Sequence, residues 1–225
     1  MKKATSLILI LLIFCSLTIG VSAEVFNGAD LFTVDLPEEF KQNTASGTDF
    51  NFQNEDGDVF ALSYCDNTKK EGVFSPSDMS KKEIEKYQNT LSEEAKIVMK
   101  EYADEFKLEF LSGEKVKHKN GKTALLFQTK TSIKKDNRTG VYYQTICEFG
   151  GIDYKYTFTY TTTDEDKKDS FNEVFESINI FEGETKSNSD KFAEHALFVG
   201  LGLLIFIGII RFIRTPEKRA QGKIK

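Results

Sequence analysis

The sequence predicts an α+β fold, an antiparallel β-sheet flanked by helices, followed by one C-terminal transmembrane helix. Three observations lead to this class. Short stretches that alternate between apolar and polar residues, separated by tight turns, predict antiparallel strands. Two amphipathic stretches, one between the strand groups and one near their end, predict helices that cover the sheet. A late uncharged run, residues 196–210, predicts a membrane span.

Composition and charge exclude several classes of protein. The chain has 225 residues, of which 40% are hydrophobic and 29% charged, so it carries enough apolar side chains for a core and is not a disordered chain. Its net charge is −5, and the acidic middle lies between two basic ends. An acidic domain repels phosphate backbones, so nucleic acid is not expected as a partner. The sequence contains no motif for a cofactor and no defensible catalytic constellation.

The N-terminus has the three parts of a secretion signal. Lys2 and Lys3 form a basic start, an apolar stretch follows from Leu7 to Leu17, and small residues end at Ala23. We therefore predict a signal peptide over residues 1–23 and a mature chain that begins near Glu24. The alternative is an uncleaved N-terminal anchor.

The C-terminal region predicts retention in a membrane. The apolar run Ala196–Ile213 is interrupted only by Arg211, whose long side chain can reach the interface. The basic tail over 214–225 is expected on the cytoplasmic side, which places residues 24–181 outside as one extracytoplasmic domain. Polar residues 182–195 are predicted to form a flexible stalk. The alternative for the apolar run is a buried helix of a soluble protein.

The first half of the domain predicts strands and then a long helix. Leu31–Leu36 alternates with period two and ends at Pro37, which indicates a first strand. Asp56-Gly57 predicts a hairpin turn. Ser80 and Glu83 form a capping box that begins a helix. Apolar residues spaced by three or four predict one buried face along this helix: Ile84, Tyr87, Leu91, Ala95, Val98, Tyr102 and Phe106.

The second half predicts a run of strands closed by a helix. Asn120-Gly121 is a strong hairpin signal. Residues 154–161 alternate between aromatic and Lys or Thr side chains, which predicts an inward aromatic face and an outward Thr face. Acidic residues after Thr163 predict the start of a second helix, with a short strand near Ile180 at its end. The buried stripe of this helix is predicted as Phe171, Val174, Phe175 and Ile178.

The order of these elements and three segments resemble the PsbP-like domain family, including its bacterial DcrB-like branch. The resemblance covers most of residues 24–181 and rests on apolar positions that determine a fold. It implies an α/β/α sandwich and no shared active site. The segments that carry it are Phe32–Phe40, the pair Gly113–Ala124 with Val141–Gln144, and the closing stretch Tyr156–Tyr160 with Phe171–Ile180.

Two sets of residues are candidate sites. Cys65 and Cys147 are the cysteines that remain after signal cleavage, and outside the cell they are candidates for a disulfide, the alternative being two small buried side chains. Lysines near the Asn120 turn are a candidate anion-binding patch, the alternative being an edge strand kept soluble by charge. These lysines are Lys115, Lys117, Lys119 and Lys122.

Other motifs favour structural roles. Asn54, Asp56 and Asp58 resemble half of a calcium loop, but Val59 stands where that loop needs glycine, so no metal site is predicted. We expect a non-catalytic, membrane-anchored extracytoplasmic module that binds a protein, a wall polymer or a small molecule. The alternative is a cell-surface hydrolase that uses paired carboxylates such as Asp56 with Asp58 or Asp164 with Asp166.

Overall fold

A computed structural model describes residues 23–46, 49–67 and 73–184. The predicted signal peptide up to residue 22, the stalk beyond residue 184, the apolar run 196–213 and the basic tail lie outside the described residues. Within the described ranges, no helix is both long enough and apolar enough to cross a bilayer.

The described chain is an α+β fold, as predicted. Two short 3₁₀ turns, Pro76–Asp78 and Glu165–Ser170, precede the helices α1 (Lys81–Met99) and α2 (Phe171–Ser177). The strands are β1 (Ala23–Gly28), β2 (Phe32–Pro37), β3 (Lys41–Ser46), β4 (Asp49–Gln53), β5 (Val59–Asp66), β6 (Glu105–Lys117), β7 (Thr123–Lys135), β8 (Arg138–Gly150), β9 (Tyr154–Thr162) and β10 (Asn179–Ile180).

The strands form two antiparallel sheets that stack in layers. Strands β1, β2 and β10 form a small sheet, and the other seven form a large sheet in the order β3-β4-β5-β9-β8-β7-β6. The small sheet and α2 pack on one face of the large sheet, where they share one apolar core with it. Helix α1 packs on the opposite face through two smaller apolar clusters. The large sheet is therefore covered on both sides.

The aromatic side chains of β9 form the centre of the larger core, as the alternation predicted. Tyr156, Phe158 and Tyr160 are all buried. The Phe158 ring meets the Phe32 ring of the small sheet edge-on, with 5.1 Å between the ring centres. Edge-to-face rings place a positive edge against a negative face, which adds to the gain from burial. Strand β9 thereby joins the two sheets.

The expectation that the Thr face of β9 points outward to solvent is wrong. Thr157 and Thr159 do project to the side opposite the aromatic residues, but their exposed fractions are only 4% and 1%. Period-two alternation predicts which residues share a face, not whether that face is covered. Strand β9 is the fourth of seven strands in the large sheet, and both faces of that sheet are covered by other elements, so the Thr face is buried too.

Helix α1 begins as predicted but ends earlier. Ser80 accepts a hydrogen bond from the Glu83 amide and Glu83 accepts one from the Ser80 amide, which is the reciprocal capping box. The helix ends at Met99, so Phe106, predicted on its buried face, lies instead in β6. Its helical spacing was misleading because apolar residues near the start of β6 pack into the same cluster as the end of α1.

Four further predictions can be compared with the strands and α2. The Asn120-Gly121 turn is confirmed between β6 and β7, and Gly121 has the positive φ of +85° that glycine adopts at low cost. The buried stripe of α2 and the closing strand β10 are confirmed. The predicted first strand is β2, but it belongs to the small sheet rather than to the main one. Strands β1 and β3 were not predicted, since neither shows a clear alternation.

The folded unit extends past its predicted boundary at residue 181. The Glu182 carboxylate accepts hydrogen bonds from the Tyr156 hydroxyl at 2.5 Å and from the Asp153 amide at 2.8 Å. Glu184 forms an isolated β-bridge with Gly151 and accepts a hydrogen bond from the Thr123 amide. A stalk was predicted because polar residues bury no apolar surface and so were not expected to pack on the domain. Carboxylates can dock by satisfying backbone N–H groups instead.

Truncation of Phe158 tests the central position of β9. Phe158→Ala should lower the free energy of unfolding by about 3–5 kcal/mol, because the ring is fully buried and its removal leaves a cavity. Phe181→Ala is the matched control, since 54% of that ring is exposed, and it should cost less than about 1 kcal/mol. Urea unfolding of residues 24–184 measures both; equal losses would contradict this core assignment.

Candidate functional site

A cleft of about 790 Å³ opens where β4 turns into β5. The β2–β3 connection and the 3₁₀ turn Glu165–Ser170 form its other sides. Its apolar lining comes from Pro37, Phe40, Phe60 and the ring of Tyr160. Amides and charged groups surround this lining, and a concave apolar surface with a few convergent polar groups is the usual form of a small-ligand site. The polar lining comprises Glu39, Lys41, Gln42, Asn43, Gln53, Asn54, Glu55, Asp56, Asp58, Lys167 and Ser170.

Asp58 is the buried charge of this cleft, with an exposed fraction of 4%. Its Oδ2 atom accepts hydrogen bonds from the Tyr160 hydroxyl at 3.3 Å and from the Asn54 side-chain amide at 3.2 Å. The Lys167 ammonium lies 3.4 Å from the same atom and 2.8 Å from Asp56 Oδ2. A buried carboxylate needs such partners, because leaving it unpaired costs several kcal/mol.

Two pKa shifts follow from this arrangement. Burial, reinforced by the negative charge of Asp58, raises the pKa of the Tyr160 hydroxyl to about 12. The hydrogen bond to Asp56, with the charge of Asp58, raises the pKa of Lys167 above its ordinary value. Both groups therefore stay protonated at neutral pH, as a donor and a cation that face the two carboxylates.

The carboxylate pairs named for a hydrolase have different surroundings. Asp56 and Asp58 both line the cleft, yet both already contact Lys167. Neither histidine nor cysteine lines the described part of this cleft. Asp164 accepts a hydrogen bond from the Asp166 amide, which caps the following 3₁₀ turn. Hydrolysis by either pair stays a prediction of the sequence.

The half calcium loop is a hairpin turn. The Asp58 amide donates to Asn54 Oδ1 at 2.8 Å, and the Gly57 amide donates to the Asn54 carbonyl. Lys167 supplies the positive charge between Asp56 and Asp58. Among the described residues, no group of three or more His, Cys, Asp or Glu side chains is arranged to hold a metal ion.

A second buried polar cluster lies beneath α1. The Tyr87 hydroxyl donates to Glu148 Oε2 at 2.8 Å, and Lys155 Nζ lies 2.6 Å from Glu148 Oε1 and 4.5 Å from the centre of the Phe74 ring. Burial raises the pKa of Tyr87 well above its ordinary value. Each charge is paired, so the cluster joins the start of α1 to β8 and β9. The sequence predicted a buried Tyr87 but not that Glu148 and Lys155 lie beneath it.

The candidate disulfide is not formed; both cysteines are thiols. Cys147 in β8 pairs with Phe158 in β9, which pairs with Leu62 in β5. One strand thus separates β8 from β5, a distance of about 10 Å, whereas a bridge needs Cα atoms within about 7 Å. Cys65 also lies an odd number of residues from Leu62, so it projects to the opposite face of the sheet.

The structure places the four lysines of the candidate anion patch in different surroundings. Lys115 donates to the Ser77 carbonyl at 3.2 Å, and Lys122 donates to the Glu182 carbonyl. Lys117 and Lys119 are exposed at the end of β6 and in the following turn. Strand β6 is the last strand of the large sheet, so its lysines also fit the alternative of a charged edge.

Asn54, Asp56 and Asp58 were named from the sequence, as half a calcium loop and a hairpin turn, but nothing in the sequence placed them in a cleft with Lys167. Asp56 and Asp58 were recognised as turn residues, and Lys167 stands more than one hundred positions away. No local spacing connects a hairpin turn with a residue so distant. A weak signal did exist: Tyr160 ends the aromatic run of β9, and an aromatic residue with a hydroxyl requires a partner when buried.

Replacement of Tyr160 tests the raised pKa of its buried hydroxyl. Between pH 10 and about pH 12 an unfolded tyrosine ionises while folded Tyr160 stays protonated, so the folded state loses stability as pH rises through this range. The Tyr160→Phe variant has no such ionising group. Between pH 9 and pH 11.5 its free energy of unfolding should therefore decrease by about 1–2 kcal/mol less than that of the parent chain. Urea unfolding at pH 9, 10 and 11.5 measures this; parallel profiles would contradict the raised pKa.

Some solved structures are similar to this chain at low sequence identity. No protein-family model and no curated protein matches the chain. The solution structure of cyanobacterial PsbP (CyanoP) from Synechocystis matches with 15% identity and a TM-score of 0.48, over 73% of this chain and 96% of that one. A crystal structure from Bacteroides thetaiotaomicron matches with 15% identity and a TM-score of 0.44, over 71% of this chain and 48% of that one.

A Pseudomonas aeruginosa protein of unknown function also matches, with 12% identity and a TM-score of 0.33, over 69% of this chain and 94% of that one. At these identities and TM-scores the chain resembles cyanobacterial PsbP over most of its described length. The described chain is an α+β domain.

Proposed function

We propose that this chain is a membrane-anchored extracytoplasmic binding module, and that its ligand occupies the Asp58 cleft. The observation that carries the binding role is the cleft itself: an apolar floor beside a buried carboxylate that is held by three partners. A rigid polar group at an apolar surface orients a ligand at little entropic cost. The signal peptide predicted over residues 1–23, the apolar run 196–213 and the basic tail of the sequence support the anchored, extracytoplasmic location.

The charge of the lining favours one class of ligand. Four carboxylates line the cleft but only two lysines, and Lys167 already contacts two of the carboxylates. A negative potential attracts cations and repels anions. The ligand is therefore a polar molecule or polymer segment that carries positive charge. Binding without catalysis is proposed, because the buried Asp58 and its neighbour Asp56 are already held by Lys167.

Titration with three short probes tests this assignment. Tri-lysine, tri-glutamate and maltotriose are added separately to residues 24–184, and amide chemical shifts are followed by NMR. Tri-lysine should shift the amides of Asn54–Asp58 and Lys167, and tri-glutamate should not. Asp56→Asn should weaken tri-lysine binding by about two- to fivefold, as expected for a partly exposed charge.

The control is Glu109→Gln, which removes a carboxylate paired with Lys107 on the surface of β6, away from the cleft. This variant should bind tri-lysine as the parent does. Shifts confined to other surfaces, or tri-glutamate binding as tight as tri-lysine binding, would contradict the proposal.

A further inference from the structure

One end of the domain gathers the tips of two hairpins and the last described residues. The tips are His118–Lys122, between β6 and β7, and Gly151–Asp153, between β8 and β9. Residues Phe181–Glu184 lie across both tips: Lys122 donates to the Glu182 carbonyl, and the Asp153 amide donates to the Glu182 carboxylate. We call this end, made of both tips and residues 181–184, the exit face, because the chain leaves the described domain here.

The exit face holds two large apolar side chains that the core does not use. Ile152 is 55% exposed and Phe181 is 54% exposed. Both belong to the surroundings of the closing segment, residues 181–184: Phe181 is its first residue, and a Cβ atom added at Gly183 would lie 3.1 Å from Ile152 Cδ1. Exposed single apolar residues are ordinary, but two on one small surface with lysines at its edge are typical of a contact surface.

The geometry of the closing segment is fixed rather than loose. Glu182 accepts hydrogen bonds from the Tyr156 hydroxyl, the Asp153 amide and the Tyr154 amide. A Cβ atom at Gly151 would lie 2.0 Å from Glu182 Oε1, so only glycine leaves room for this carboxylate. The direction in which the chain departs is thus set by the fold.

We propose that the exit face rests on the surface of the membrane, with Ile152 and Phe181 inserted at the lipid interface and Lys117 and Lys119 near anionic headgroups. This inference rests on the proposed anchoring by residues 196–213. Eleven residues, 185–195, separate Glu184 from that apolar run. They span about 40 Å at most when fully extended. The chain therefore departs for the proposed anchor from the exit face, which cannot lie more than about 40 Å from the bilayer.

Tethering makes weak contacts effective. A short linker raises the local concentration of the domain at the membrane to the millimolar range, so two partly inserted side chains suffice for a persistent contact. Lys117 and Lys119 attract anionic lipid, against the one exposed carboxylate among the exit-face residues, that of Asp153; the carboxylates of Glu182 and Glu184 are turned inward on amide groups.

Single tryptophans report this contact, because the chain contains none. The full chain is reconstituted in vesicles of phosphatidylcholine and phosphatidylglycerol, with and without brominated acyl chains. Ile152→Trp and Phe181→Trp should each show blue-shifted emission and a loss of emission on brominated lipid. The two sites are separate and exposed, so each checks the other without disturbing the core.

The matched control is Ile97→Trp. Ile97 is 68% exposed on α1. It lies near Met99, which packs on Leu108 and Ile133 at the opposite ends of β6 and β7, about 30–40 Å from the exit face along those strands. Emission of this variant should be unchanged by brominated lipid.

An alkaline carbonate wash of the vesicles tests the membrane anchor separately from the lipid contact of the exit face. A chain that stays with the vesicles and is quenched at positions 152 and 181 but not at 97 supports the contact. If the chain stays with the vesicles but no tryptophan at the three positions is quenched, the lipid contact is overturned while the anchor is supported. Release by the wash overturns the anchor and the contact with it.

Discussion

The packing of β9 against the small sheet is the constraint on which the other features of this domain depend. Phe158 is fully buried and lies edge-on to Phe32, so the small sheet and α2 are held to the large sheet through it. The same aromatic row continues in both directions. Tyr156 reaches Glu182 at the exit face, and Tyr160 reaches Asp58 at the cleft. One strand thus positions the core and both ends of the domain.

This arrangement separates binding from anchoring. Strand β9 has nine residues, which places the exit face and the cleft about 30 Å apart at its two ends. A ligand in the cleft therefore need not compete with the surface that faces the membrane. The tyrosine hydroxyls at both ends of β9 donate hydrogen bonds to carboxylates. Each end of the apolar core is therefore covered by a polar contact and is not exposed.

Much of the fold could be predicted from the sequence, because its signals are local. The capping box at Ser80, the Asn120-Gly121 turn and the aromatic alternation of β9 each depend on residues within one element. The domain boundary could not be predicted, since Glu182 docks through amides contributed by a hairpin some 30 residues earlier. Likewise, alternation in β9 did not reveal that the Thr face is covered.

The candidate site was less predictable than the fold. Asp58 belongs to a hairpin turn, and its partners Tyr160 and Lys167 are about 100 residues distant. The disulfide candidate failed for the same reason, because only strand order shows that β9 separates Cys65 from Cys147. Contacts between remote residues are set by topology, and a single sequence carries no pattern that reports them.

The most direct test of this account compares residues 24–184 with residues 24–181 by urea unfolding. We expect one cooperative transition for 24–184 and a free energy of unfolding about 2–4 kcal/mol lower in the shorter form. That loss arises because the Tyr156 hydroxyl and the amides of Asp153 and Tyr154 lose their shared acceptor. Equal stabilities, or aggregation of 24–184 without a cooperative transition, would contradict a self-contained domain that closes at Glu184.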